Sequence, residues 1–503
     1  MSAPATGLSR FYLLLAAATL ALFAFANLRS PLVNEDGVLY LLLAGRIGPE
    51  GLSSAFALYD RPFYPWLIAT IHAASGLSLT HSAVCLDAAF CVLLALAFAE
   101  FCRLLYGDRG VLPWAALLIL AHPKLNNYFG FIIRDTGYWA LLFASFCAWL
   151  RHLDDGRPRW LLLWAPATLL AAALRPEALV FGLLLPPVLL LSARGARRTA
   201  LARMLLAWAL VFGAMALALL VVAALDPGTF AQPMRDANDV PAALWRDIPA
   251  HFRAAAGRYA SEVLDPHAAD VAALSLAGGL LVILLAKLLN GLGPLQGLLL
   301  AHGLWRVGVA PAAANRRAYA AMLAGALLIA AGFVAYRHFL DTRYVMLAVM
   351  LLLAPAARSL QAIAARVSAR GATARAGFVA AALLLAGLDL LLGLDRPKPY
   401  LNECAHWLRA NLPPGSPVFA NDKQLAWTSG GRWDYQTAQD ANVLIAELRA
   451  PVAGNGYWIV HVKRGQDELA QQLQAYRWLL TPLHRCADPK GSVVEIFAQA
   501  QAP

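Results

Sequence analysis

The stretch Phe11 to Leu28, FYLLLAAATLALFAFANL, runs eighteen residues without a charge, and Asn34 to Gly45, NEDGVLYLLLAG, follows it with two adjacent carboxylates before the next apolar run. A helix of about 20 apolar residues crosses a bilayer, and a chain in lipid must satisfy its own backbone polar groups. Runs of this kind recur from Phe11 to Leu394, in a chain of 503 residues that is 60% apolar and 14% charged. Alternation of period two is absent, so the runs predict helices rather than barrel strands. The expected fold is a polytopic α-helical membrane protein of about eleven spans, eleven to thirteen at most. They are placed at 11–28, 80–104, 111–127, 136–150, 160–174, 177–192, 204–225, 271–289, 318–337, 341–357 and 376–393.

Charge sets the orientation. The segments Ala193 to Arg203 and Arg358 to Arg375 carry arginine and no acid, which marks them as cytoplasmic. Residues 226–270 carry seven acids against four arginines, and read as an outer loop. The N-terminus is then inside and the C-terminus outside, in a bacterial-type inner membrane. Cleavage of the first run as a signal peptide, after Ala24-Phe25-Ala26, is the weaker reading because so many spans follow. The net charge of +11 lies in short loops between apolar runs, which argues for topology and membrane lipids and against nucleic acid. Pro62 to Leu77 would reverse every later loop if counted as a span, so residues 29–79 read as a first outer loop with interfacial helices. Gly293 to Ala310 is either re-entrant or part of two further spans.

After residue 394 the composition turns polar. Residues 1–394 are therefore read as the transmembrane domain, and 395–503 as a soluble periplasmic domain of small α/β or α+β type, with strand-like SPVFAND and GYWIVHV and helix-like DELAQQLQAYRWLL. Cys85, Cys91, Cys102 and Cys147 fall in apolar runs as packing residues. Cys404 and Cys486 lie in the polar region, where an oxidising compartment would let them pair.

On the predicted outer face, charge collects in five short segments: Glu35-Asp36, Tyr59 to Pro65 (YDRPFYP), His122 to Asp135 (HPKLNNYFGFIIRD), Leu174 to Leu179 (LRPEAL) and Tyr336 to Val345 (YRHFLDTRYV). Each alone reads as a solvated loop end. Together they mix acids with cations beside hydrocarbon, where charges pair or face an aqueous cavity. The order of these motifs resembles the GT-C superfamily of integral membrane glycosyltransferases, above all the branch of protein O-mannosyltransferases and the lipid A aminoarabinose transferases, over most of residues 10–395. Asp36-Gly37-Val38-Leu39-Tyr40 is similar to that family's D-E-x-x-Y motif, with Gly37 at the second acid and Glu35 preceding instead. Arg61-Pro62 matches a basic residue and proline before an interfacial helix, Asp135 an acid opening the fourth span, and Arg343-Tyr344 an arginine-tyrosine pair at a late span.

The resemblance implies a sugar donor on a polyprenyl phosphate and a glycolipid, polysaccharide or protein acceptor. A carboxylate at the anomeric carbon would take the acceptor proton, a role given to Asp36, with Glu35 as its neighbour. Arginine holds phosphate oxygens in pairs, so Arg61 and Arg343 are the expected phosphate ligands, with Lys124, Arg134, Arg337 and His338 as further candidates and Tyr40, Tyr59 and Tyr344 beside them. Asp135 orients the acceptor, holds a divalent metal ion with Asp36, or pairs with Arg134; no His/Cys/Asp spacing fixes a metal site. Arg175 and Glu177 read as a structural pair. The rivals are a transporter or flippase, for which Asp87, Lys287 and Asp389 are the intramembrane charges, a polysaccharide polymerase or ligase, and a noncatalytic scaffold.

Overall fold

The computed structural model of the chain describes residues 5–29, 32–56, 58–192, 197–225, 247–307, 311, 313–394, 398–435, 456–476 and 482–498. Among them, seven helices are long and apolar enough to cross a membrane: Gly7–Arg29, Leu79–Tyr106, Arg197–Leu217, Pro266–Leu292, Asn315–Arg337, Thr342–Ser368 and Ala372–Gly393. The chain is a multi-pass membrane protein. The other expected spans are shorter or more polar, and prolines explain two of them. The 111–127 run divides into Leu112–Leu120 and Pro123–Phe129, because Pro123 has no N–H to continue the ladder and disfavours helix at His122. The 177–192 run divides likewise, into Leu179–Leu184 and Pro186–Ser192, at Pro186-Pro187. Phe63–Ser75, at 13 residues, is about 20 Å long and too short to span. Pro294–His302 is shorter still and packs against Thr342–Ser368. The expected outer loop lies outside the described residues over 226–246.

The chain forms two compact units: Met1–Ala24, Arg46–Phe129 and Ile133–Leu394 make one, and Phe25–Gly45, Gly130–Ile132 and Asp395–Pro503 make the other. In the first, Leu79–Tyr106 starts at Ser78, whose hydroxyl accepts from the His81 N–H, and stops at Gly107 in the left-handed region. It packs on Arg134–Asp155, where Phe98 and Phe101 meet Phe143 edge to face at 5.5 and 5.3 Å, and Phe146 meets Phe181 at 5.1 Å. Thr342–Ser368 is buried along most of its length and begins at Asp341, whose carboxylate accepts from the Arg343 N–H.

In the second unit a four-stranded sheet has strands β1 (Val418–Ala420), β2 (Tyr457–Val462), β3 (His484–Ala487) and β4 (Val493–Ala498), in the order β1-β2-β4-β3. β1 runs parallel to β2, and the other pairs are antiparallel. Both faces are covered, which is why β2 and β4 read as near-continuous apolar runs. Ile459, Val494 and Ile496 pack under Tyr400, Cys404 and Leu408 of the helix Pro399–Asn411, while Trp458, Val460 and Phe497 pack on Leu469 and Leu473 of Asp467–Tyr476. A disulfide joins Cys404 to Cys486.

Candidate active site

In the second unit, Glu35 and Asp36 form the first turn of the helix Glu35–Glu50, where the unpaired N–H groups and the helix dipole favour negative charge. Glu35 is exposed, Asp36 half-buried and Tyr40 buried. The turn before them is clamped by Asn34: its Oδ1 accepts from the Ile132 N–H at 2.8 Å, and its Nδ2 donates to the Ile132 carbonyl at 3.2 Å. This clamp accounts for the glycine in the acid motif. A Cβ on residue 37 would lie 2.8 Å from Asn34 Oδ1 and 2.9 Å from Ile132 Cβ and from Val33 Cγ1, so the second acid of the resembling motif has no room here. Glu35 puts the extra carboxylate on the other side of Asp36.

Lys423, which sequence reasoning missed, lies in the same unit. It opens the helix Lys423–Thr428 and is 3% exposed, with Nζ 3.5 Å from the centre of the Tyr435 ring. Burial pulls its ammonium below the ordinary lysine range, against the opposing pull of Glu35 and Asp36. Its neighbour Gln424 donates to the Val33 carbonyl at 2.8 Å. Asp422 caps the helix by accepting from the Gln424 and Leu425 N–H groups, and its other oxygen accepts from His461 Nδ1 at 2.7 Å; His461 Nε2 is 3.1 Å from the Tyr400 hydroxyl. Burial would raise the Asp422 carboxyl, but the His461 contact and the N–H groups hold it below its ordinary range. No local signal in the sequence ties residue 423 to residues 35 and 36.

The first unit holds a second constellation. Asp135 and Arg175 are 3% and 4% exposed and form a close ion pair, and Arg175 Nη2 reaches Glu177 Oε1 at 3.1 Å. The Arg175 guanidinium lies over the rings of Tyr138 and Tyr344, at 5.3 and 4.9 Å. Tyr344 also sits under Arg343 at 5.2 Å and stacks on Phe333 at 3.7 Å. Two guanidiniums thus share one tyrosine ring. The Tyr128 hydroxyl is 3.4 Å from the Asp341 carboxylate, which fixes the start of the Arg343 helix. Asp135 therefore pairs with Arg175, forty residues on, rather than with Arg134. The clue was available: Arg175 ends a long apolar run, where a charge needs a partner.

Of the remaining candidates, Arg61 is near enough to act electrostatically on Glu177. Arg134 lies over Tyr59 at 5.4 Å, and half-buried Arg61 is 3.4 Å from exposed Asp60. Lys124 is half-buried on Pro123–Phe129, and Arg337 lies over Tyr336. His338 stacks on His251 at 5.1 Å; burial first, then His251 and Arg258, keep it below the ordinary histidine range. Cys404, His484 and Cys486 are the one group among the described residues with atoms close enough to share a metal ion, and the disulfide takes both sulfurs.

No protein-family model matches the sequence, and no curated protein matches it. Solved structures do. The archaeal oligosaccharyltransferase AglB from Archaeoglobus fulgidus, in complex with an inhibitory peptide and a dolichol-phosphate, matches with a TM-score of 0.52 at 13% identity, over 96% of this chain and 74% of that one. ArnT from Cupriavidus metallidurans matches with a TM-score of 0.41 over 98% of each chain, at 15% identity in the apo state and 14% bound to undecaprenyl phosphate. The likeness to the oligosaccharyltransferase is one of architecture: this chain shares the fold of that structure over most of its length.

Proposed function

We propose that the protein transfers a sugar from a polyprenyl-phosphate donor to an acceptor hydroxyl at the outer face of a bacterial-type inner membrane. The observation that carries this reading is the clamped Asp36 turn: a half-buried carboxylate at a helix N-terminus, with a buried lysine held in the same unit. The acceptor oxygen attacks the anomeric carbon while its proton passes to Asp36. The carbon–oxygen bond to phosphate breaks, its electron pair stays on the phosphate, and the configuration inverts. Phosphate is a good leaving group, so no general acid is required. Arg61 and Arg343 bind the departing phosphate, because a guanidinium stays charged and presents paired donors. Asp135 is a positioning residue that keeps Arg175 beneath Tyr344 and so orients the tyrosine shared with Arg343.

The fold likeness supports lipid-linked chemistry, since AglB was solved with a dolichol-phosphate. The Cys404–Cys486 disulfide supports an extracytoplasmic C-terminal domain. Asp87 accepts from the Tyr64 hydroxyl at 2.8 Å and Asp389 from Gln296 Nε2 at 2.9 Å, which gives these intramembrane acids structural partners and lends the transporter reading no support. The test is transfer from a panel of radiolabelled polyprenyl-phosphate sugars to membrane extract. Wild-type protein is expected to transfer label and Asp36→Asn to lose it; translocation without transfer would overturn the proposal.

A further inference from the structure

Away from both acid clusters, the first unit contains a cavity of about 580 Å3 between the helices Ala5–Arg29, Leu79–Tyr106, Arg134–Asp155 and Arg159–Leu174. Its wall is aliphatic, formed by Leu93, Leu96, Ala97, Ala144, Ala148 and Ala167. Its polar side is a single cluster built on Glu100. Oε2 accepts from the Tyr12 hydroxyl and Arg103 Nε, both at 2.6 Å, while Oε1 accepts from Arg103 Nη2 at 2.7 Å and Arg151 Nη2 at 2.5 Å. Arg151 also lies over the Trp160 ring at 4.8 Å.

Two arginines against one glutamate leave this lining with a net charge of +1. Of the N–H donors each guanidinium carries, Arg103 directs two and Arg151 one at Glu100, and the Arg151 side chain is still 38% exposed. Arg151 follows Asp135 by 16 residues (151 − 135) on one unbroken helix, about 24 Å at 1.5 Å per residue. The cavity therefore belongs to the opposite end of the helices from the Asp135–Arg175 constellation. An aliphatic cleft between apolar helices, ending in two part-exposed guanidiniums beside Trp160, is complementary to a lipid with an apolar chain and an anionic head. Its volume falls among ordinary ligand pockets, about 300–1,000 Å3.

We propose that this cavity holds one anionic glycerophospholipid of the surrounding bilayer, with an acyl chain along the leucine-alanine wall and its phosphate on Arg103 and Arg151. The site is independent of the transfer reaction and would stand if that reading failed. Its test uses the purified full chain, exchanged into equal phosphatidylglycerol and phosphatidylcholine and read by native mass spectrometry. One retained phosphatidylglycerol is expected. Arg151→Gln should weaken retention about ten-fold, the loss of a charged hydrogen bond. Ala144→Phe, which fills the cleft while leaving the Glu100 cluster in place, should abolish retention without lowering Tm in detergent. Equal retention of the two lipids, no retained lipid, unchanged retention in Ala144→Phe, or one-for-one replacement by undecaprenyl phosphate would each overturn the proposal.

Discussion

Asp36 and Asp135 each sit in the first turn of a helix, yet they meet water differently. Asp36 is half-buried, at the opening of a turn built from backbone and amide hydrogen bonds. Asp135 is 3% exposed and locked to Arg175, with Glu177 and two tyrosine rings completing the cage. Burial of a charge costs free energy unless it is paired, so the two positions carry different desolvation costs. The lesson is that two acids of one motif set differ in desolvation, and the proposed division into a base and a positioning residue follows that difference.

Four variants sharpen or break that contrast. The largest effect is expected from Asp36→Asn, which should slow sugar transfer about 10²–10⁴-fold, the usual contribution of a general base, with Tm within about a degree of wild type. Asp135→Ala should instead act on stability: Arg175 stays buried with Glu177 as its remaining acid, a loss of up to about 3 kcal/mol, read as a lowered Tm in detergent. An Asp135→Ala protein of wild-type Tm and no activity would erase the distinction. Gly37→Ala comes next, since its methyl must push Asn34, Ile132 and Val33 apart; overpacking of that kind costs about 1–3 kcal/mol and should loosen the turn, reducing transfer more than Tm. Lys423→Met should be smaller, a few-fold loss of transfer measured at saturating donor, because it removes a cation acting on Glu35 and Asp36 through space.

The smallest effect concerns pH. Asp422 is held below its ordinary carboxyl value of 3.8, so its stabilising contribution is complete above that pH and is lost as pH falls through 3.8 toward the lower folded value. Hydrogen exchange in β2, corrected for intrinsic rates, should show protection falling across that window in wild type and a flatter response in Asp422→Asn. An identical slope in both proteins would remove the Asp422–His461 contact as the cause.

Much of the fold was legible in the sequence. The long apolar helices and the polar C-terminal module followed from composition alone, because hydrocarbon admits few backbone solutions. Proline read residue by residue would also have divided the runs at Pro123 and Pro186. The candidate site was legible by residue type more than by partnership. Asp36, Asp135, Arg343 and Tyr344 were named, whereas the Arg175–Asp135 pair and the link from Lys423 to Glu35 and Asp36 were not, since contacts across 40 and nearly 390 positions leave no local periodicity.

The sequence by itself determined that this chain lies in a membrane and carries an ordered set of acids and arginines near span ends, because the transfer cost of charge and the length of a bilayer act on each segment separately. Only the tertiary structure decided how deeply each charge is buried and beside which groups, and that the loop before Asp36 packs in one unit with the C-terminal domain. Desolvation depends on every element around a group, and that environment exists only once distant segments have packed.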